Sequence, residues 1–153
     1  MPDSIQVQVE DQLVSIIRGM QLAWPPSSEI QARRLPWDTT GDGTVLVHRG
    51  ITAYSLPTAE AAGTNQREDM GYAIGLAFIA AADHSTSTNR NRVHAAKEAV
   101  RRKIIHDRLT IVLDGGHYLQ TKVANGEVNV PKEAHRYEVS GLVVRGWVRE
   151  SRT

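Results

Sequence analysis

Apolar residues recur near the start of the chain at the spacing of one helix face. With successive residues about 100° apart, they form one stripe: Ile5, Val9, Leu13, Ile16, Ile17 and Met20. Asp3 or Ser4 can serve as the N-cap, and Pro25 and Pro26 end the helix shortly after Trp24. The pattern predicts an amphipathic helix whose stripe must be covered by a sheet or by another helix.

A second helix is predicted from about Asn89 to His106, with a buried stripe of four residues at Val93, Ala96, Val100 and Ile104. Seven cations crowd this region: Arg90, Arg92, Lys97, Arg101, Arg102, Lys103 and Arg108. On a helical wheel all of them except Arg102 flank the apolar stripe. A helix that binds DNA would gather its cations on the exposed side. The pattern favours long stems that lie over a sheet, or pairs with acids on a neighbour, and leaves nucleic-acid contact as the alternative.

The stretch "MGYAIGLAFIAAA" alternates in the size of its side chains and not in their polarity. Large side chains at 72, 74, 76 and 78 point one way, and small residues at 73, 75 and 77 point the other. Neither face is polar, so a central strand covered on both faces is predicted. The small face would let a helix approach closely.

Other strand patterns precede and follow this central strand. The run "TVLVHRGITAYSLP" predicts one bent strand or a hairpin over Arg49 and Gly50, and further strands are "LTIVL", "HYLQTKV" and "RYEVSGLVVRGWVRE". The order predicts a single α+β domain over residues 1–153, in which a mostly antiparallel sheet is flanked by two helices. We expect one buried cluster made of Leu13, Ile16, Ile74, Phe78, Val100, Ile104 and Val143.

Composition narrows the classes of function. The formal net charge is +1, so bulk electrostatics do not demand a nucleic-acid partner. The absence of cysteine excludes disulfides, thiol nucleophiles and cysteine-ligated zinc. The N-terminus lacks the pattern of a signal peptide, and the longest apolar stretch is shorter than the roughly 20 residues of a membrane helix. We therefore expect a protein of the cytoplasm with no membrane contact.

The stretch "DTTGDGT" at residues 38–44 resembles the front half of a calcium loop. Asp38, Thr40 and Asp42 could fill the first three ligand positions, but position twelve is the cation Arg49. Strand-like sequence follows where a helix is required. A turn built from Asp and Gly is the interpretation we adopt.

Motifs for other chemistry are missing. The six histidines match no zinc spacing, and Ser140 in "EVSGL" lacks the glycine two positions before it. The best candidate for paired carboxylates is the region of Glu60, Glu68 and Asp69, for which a solvated loop is the simpler interpretation. The sequence thus predicts no catalytic, cofactor-binding or metal-binding residue.

Two stretches carry a resemblance to a known family: "ITAYSLPTAEAAGTNQREDMGYAIGLAFIAA", with its loop between two strands, and the closing "YEVSGLVVRGWVRES". With the order helix, strands, helix, strands, the chain resembles the tail-terminator proteins of long-tailed bacteriophages, also called minor tail or tail-completion proteins. The resemblance spans nearly the whole chain. It depends on the order of the elements and on the general pattern of residue types, without an invariant motif. In that family a sheet is flanked by two helices.

The resemblance implies a structural protein and not an enzyme. Six copies would form a ring that caps the tail-tube protein and joins it to the head-closure proteins of the neck. DNA would pass through the ring without specific recognition. The location would be the virion, after assembly in the host cytoplasm.

The residues at the contacts between subunits are our own inference. Two strands with apolar faces need cover, either from the sheet folding over itself or from another subunit, and charged loops beside them suit the rim of an interface. We expect Arg67, Glu68 and Asp69 of one copy to face basic residues such as Arg101 of the next. The Pro-rich segment 24–44 could be an extra loop that reaches a neighbour. The alternatives are another neck component such as a head-closure protein, a small hydrolase with an unrecognised carboxylate pair, and a nucleic-acid-binding module.

Overall fold

The computed structural model describes residues 4–57, 68–81, 88–106, 119–126, 128 and 137–150. Within these residues the chain forms two α-helices, seven strands and one short 3-10 turn. In chain order they are α1 (Ile5–Gly19), the turn Ser27–Glu29, β1 (Ile30–Gln31), β2 (Trp37–Thr39), β3 (Val45–Val47), β4 (Gly50–Ser55), β5 (Glu68–Ala81), α2 (Thr88–His106), β6 (Leu119–Asn125) and β7 (Tyr137–Glu150).

Five strands form the main sheet in the order β1-β4-β5-β7-β6, and β2 and β3 form a separate two-stranded sheet. All pairs are antiparallel except β1 with β4. The two longest strands, β5 and β7, pair from Glu68 with Glu150 to Ala81 with Tyr137. The predicted α+β class with a mostly antiparallel sheet is confirmed. The predicted strand "LTIVL" lies outside the described residues.

Both helices pack on the same face of the main sheet. Large side chains of β5 at 72, 74, 76 and 78 form a buried cluster with Leu142 and Val144 of β7 and with the stripes of α1 and α2. The cluster contains Val9, Leu13 and Ile17 of α1, and all four predicted stripe residues of α2. Helix α1 covers β1, β4 and β5, whereas α2 covers β5, β6 and β7. The two helices therefore lie side by side along one sheet face.

Helix α1 begins as predicted and ends earlier than predicted. Ser4 is the N-cap, and its hydroxyl accepts a hydrogen bond from the backbone N–H of Val7 at 3.3 Å. The helix stops at Gly19, not after Trp24, and Gln21 has a left-handed backbone with φ of 52°. Glycine is a weak helix former, and a left-handed residue cannot continue the helix. Neither described helix has the length and apolarity needed to cross a membrane.

The predicted core is confirmed at five of its seven positions and wrong at one. Ile16 is only partly buried against the cluster, while Val143 lies outside it. Val143 pairs with Gly75, and its neighbours Leu142 and Val144 take the positions on the helix side of the sheet. Successive residues of a strand point to opposite faces, so Val143 points away from the helices.

The small face of β5 also points away from both helices, so the expected close approach of a helix to it is wrong. Ala77 and Ile79 on this face are nevertheless 0% exposed within the single chain. Gly75 lies beneath the ring of Tyr54, its partner on β4, and a Cβ there would clash with the ring. The centre of this face is therefore covered without a second subunit.

The run from Val45 to Ser55 forms neither a bent strand nor a hairpin over Arg49 and Gly50, and both predictions are wrong. It contains two strands of different sheets, because β3 pairs with β2 and β4 pairs with β5. Gly50, at the junction, has φ of 104°, and a Cβ there would meet the backbone of Glu29. A residue with a side chain would be strained here.

Candidate interaction surfaces

The residues predicted to join subunits are separated within one chain. Arg67 lies outside the described residues. Glu68 and Asp69 are the first residues of β5 and pair with Glu150 and Arg149 of β7, so their placement in a loop is wrong. Arg101 is exposed on α2. If Arg101 lies far from the start of β5, it can contact Glu68 or Asp69 only of a second copy.

The contacts of α2 show that Arg101 lies far from the start of β5. Lys97, one turn before Arg101, donates a hydrogen bond from Nζ to Ser140 Oγ at 2.9 Å. The ten residues from Ser140 to Glu150 span about 33 Å of strand. Arg101 therefore lies near the middle of the sheet, and Glu68 lies at its far end. The structure does not bring the two predicted sides of the interface together within one chain.

Cations on one edge of α2 reach over the sheet, as their wheel positions predicted. In addition to the bond from Lys97, the Arg90 guanidinium lies 3.4 Å from the Glu138 carboxylate of β7. On the outer side, Arg102 and Glu98 form an exposed pair at 3.6 Å, and such pairs stabilise little. Lys97 thus helps to dock α2, whereas the pair made by Arg90, whose side chain is 59% exposed, stabilises little.

The outer surface of α2 carries an apolar residue among cations. Ile105 is 40% exposed, and Arg101 and Arg102 are exposed residues four and three positions before it. That spacing places all three on one side of the helix. Arg101 has no ion-pair partner within the described part of the chain. We call Arg101, Arg102 and Ile105 the α2 patch.

The hairpin of β2 and β3 carries an apolar residue beside an acid. Asp38 and Leu46 are directly opposite in the register, so their side chains share one face. Leu46 is 48% exposed and Asp38 is also exposed. Leu35, just before β2, is 59% exposed. We call Asp38 and Leu46 the hairpin patch.

The stretch "DTTGDGT" forms the turn of this hairpin, as we interpreted it. The Asp42 carboxylate accepts hydrogen bonds from the Thr40 hydroxyl and from the Thr44 backbone N–H, the latter at 3.0 Å. These bonds lower the pKa of Asp42 to about 2. Among the described residues there is no group of three or more His, Asp or Glu side chains arranged to hold a metal ion. The carboxylate therefore serves the turn.

The two patches lie at opposite sides of the molecule. The hairpin interrupts the chain between β1 and β4, the strands at one side of the main sheet. Its base is closed by the His48 N–H, which donates to the Pro36 carbonyl at 2.9 Å. Helix α2 instead covers the β7 and β6 side. One chain thus presents unlike surfaces at its two ends.

A buried carboxylate on α1 was missed by the sequence prediction. Glu10 is 2% exposed and accepts a hydrogen bond from the Ser55 hydroxyl at 2.9 Å. Burial raises the pKa of Glu10, the bond from Ser55 opposes that rise, and the charge of Asp11 adds to it. The spacing of Glu10 with 13, 14 and 17 was the signal, because it places Glu10 on the buried stripe. A group closed from solvent in this way holds α1 on β4 and is not placed to meet a substrate.

Two open clefts flank the short strand β1. The larger, about 490 Å³, is lined by Asp11, Arg18 and Gln31 among others. Arg18 Nε donates to the Ile30 carbonyl at 3.0 Å, and Asp11 forms a two-bond ion pair with Arg33. The smaller cleft, about 200 Å³, includes His48, whose pKa is lowered by burial and by the charge of Arg34. The charged groups of the larger cleft are already engaged in holding β1 and its flanks against α1.

Comparisons with known proteins do not add a functional assignment. A scan against protein-family models finds no matching family, and a search of curated proteins finds no significant match. The functional conclusion therefore depends on the fold and on the two patches.

Proposed function

We propose that this chain is a structural protein of virion assembly that caps the tail tube of a long-tailed bacteriophage as a ring. The observation that carries the proposal is the architecture: a mostly antiparallel sheet with two helices. This is the arrangement that the resemblance implied from the order of elements. Because fold alone does not fix function, the surfaces must also suit assembly.

The surfaces suit a ring because they are unlike and lie at opposite sides of the molecule. A head-to-tail contact joins different patches of successive copies and closes into a ring when the rotation permits. The α2 patch is basic and the hairpin patch is acidic, and each includes an exposed apolar residue. By resemblance we propose a ring of six copies.

In this proposal the ring contacts the tail-tube protein on one side and the head-closure protein of the neck on the other. DNA passes through the ring without specific recognition of sequence. The protein resides in the tail or neck of the virion after its assembly in the host cytoplasm. No cofactor and no catalytic residue is required for this role.

Electron microscopy of the tail end of the assembled particle tests the proposal. We expect density for several copies of this chain, arranged as a ring between the tube and the neck. Particles assembled without the chain are the control, and their tubes are expected to lack this ring and to vary in length. A single copy, or absence from the particle, would show that the proposal is wrong. Copies on the head side of the neck alone would favour the head-closure alternative.

A further inference from the structure

Among the residues whose side chains the structure describes, large apolar side chains are exposed at two places. Leu46 lies on the hairpin, Leu35 lies two residues before it, and Ile105 lies on α2. Every other large apolar residue whose side-chain burial is described is buried or half-buried. Single exposed apolar residues are common on protein surfaces, so an interface is inferred here only together with the charges that flank them.

The charges beside these residues are opposite in sign. Asp38 shares a face with Leu46, and Arg101 and Arg102 share a side of α2 with Ile105. Within the described part of the chain, Asp38 accepts a hydrogen bond only from the adjacent Thr39 N–H, to Oδ1 at 2.7 Å, and Oδ2 accepts none. An apolar contact flanked by a carboxylate and a guanidinium gives both affinity and register.

We propose that the hairpin patch of one copy docks on the α2 patch of the next copy. Leu46 packs against Ile105, and Asp38 pairs with Arg101. The two patches lie at opposite sides of the sheet, so each copy offers a hairpin patch forward and an α2 patch behind. This contact joins neighbouring subunits of the proposed ring, and this role rests on the proposed function.

Asp38 is a better partner for Arg101 than the acids first predicted. Glu68 and Asp69 belong to β5, which is the central strand of the main sheet. The hairpin stands apart from the main sheet, since neither β2 nor β3 pairs with it. A segment that extends from one edge can reach a neighbour. Residues 37–44 of the segment 24–44, which was predicted as a loop that could reach a neighbour, belong to the hairpin, whereas Ile30–Gln31 form β1 of the main sheet.

Disulfide trapping tests the contact directly, because the chain has no cysteine of its own. The single variants Leu46→Cys and Ile105→Cys are mixed in equal amounts at high concentration under mild oxidation. We expect a covalent dimer that forms roughly tenfold faster in the mixture than in either variant alone, because docking raises the effective concentration of the pair. Both positions are exposed, so both variants are expected to keep the wild-type circular dichroism.

His94→Cys is the matched control for Ile105→Cys. His94 is an exposed residue on the same side of the same helix, about 16 Å away. We expect a mixture of Leu46→Cys with His94→Cys to form dimers no faster than Leu46→Cys alone. Equal rates for the partners at 94 and 105 would overturn the proposed contact.

The double variant Leu46→Cys/Ile105→Cys separates a ring from a closed pair. A head-to-tail contact leaves one unreacted cysteine at each end of a dimer, so a ladder of larger covalent species is expected. A reaction that stops at the dimer would overturn the head-to-tail arrangement. A ladder from pure protein, combined with particles that lack the chain, would keep the contact and reject the tail function. A reaction without a ladder, combined with particles that contain the chain as a ring, would keep the tail function and reject the contact.

Discussion

The main sheet and the β2–β3 hairpin differ in how far they bury their apolar residues. At the centre of the sheet, Ala77 on one face and Phe78 on the other are both 0% exposed within one chain. The hairpin leaves Leu46 about half exposed and does not join the sheet. The expectation that uncovered strand faces drive assembly therefore fails at the centre of the sheet. The association that we propose therefore uses the periphery, where the hairpin and α2 present apolar residues with opposite charges.

Neighbouring residues of α2 give the sharpest form of this contrast. Ile104 is 3% exposed and belongs to the core, whereas Ile105 is 40% exposed. We expect Ile104→Ala to lower the free energy of unfolding by about 2–5 kcal/mol, since it deletes buried methyl groups and leaves a cavity. The same change at Ile105 is expected to cost less than about 0.5 kcal/mol and to weaken association. Urea unfolding of both variants gives the comparison, and equal losses of stability would contradict it.

A second test asks whether residues of the same chain cover the small face of β5. A Cβ on Gly75 would clash with the ring of Tyr54. We expect Gly75→Ala to cost about 1–3 kcal/mol, the usual range for overpacking. Gly41→Ala in the hairpin turn is the matched control, because nothing lies within 4 Å of a Cβ there.

A double-mutant cycle identifies the cause of that loss. In a Tyr54→Leu background the ring is absent, so we expect Gly75→Ala to cost less than in the wild type. The measurement is again the free energy of unfolding in urea. The same cost in both backgrounds would mean that Tyr54 does not cover Gly75.

The anchor of α1 predicts a dependence of stability on pH. Burial raises the pKa of Glu10 above its ordinary 4.5, so the native state binds more protons than the unfolded state above that pH. This contribution to stability is complete below pH 4.5 and falls as pH rises through the native pKa. Glu10→Gln removes the fall and keeps an acceptor for Ser55. We expect thermal unfolding of the variant to lose less stability than the wild type between pH 4.5 and neutral pH, and identical profiles would contradict the assignment.

The smallest expected effect concerns the hairpin turn. The Asp42 carboxylate is engaged by Thr40 and Thr44, and Arg49 stands at the last ligand position of a calcium loop. We therefore expect calorimetric titration with calcium at physiological concentration to give no binding heat. A stoichiometric site that is lost in Asp42→Ala would contradict the turn interpretation.

Periodicity predicted the elements that bury one continuous stripe and failed where pairing between distant segments decides. The α2 stripe and the alternation of β5 are local patterns, so both were predictable. The assignment of β3 and β4 to different sheets depends on partners at 37–39 and 74–79. The shared face of Asp38 and Leu46 depends on hairpin register, which sequence spacing does not specify. Arg101 was predicted as an interface residue from its place on α2, whereas the partner now proposed for it could be chosen only from the fold.

Charge reversal tests the central claim most directly. At low ionic strength, where screening is weak, we expect the average mass of the wild type in sedimentation to rise with concentration. Asp38→Lys and Arg101→Glu are each expected to remain monomeric, because each places like charges at the contact. Glu68→Lys is the control and is expected to associate like the wild type.

An equal mixture of Asp38→Lys and Arg101→Glu is the decisive sample. In alternating order, one contact carries the reversed pair and the next carries the original pair, so every contact is complementary. We predict that sedimentation of the mixture restores the concentration-dependent rise in mass. A mixture that stays monomeric, single variants that associate normally, or a wild type that never associates would contradict the account.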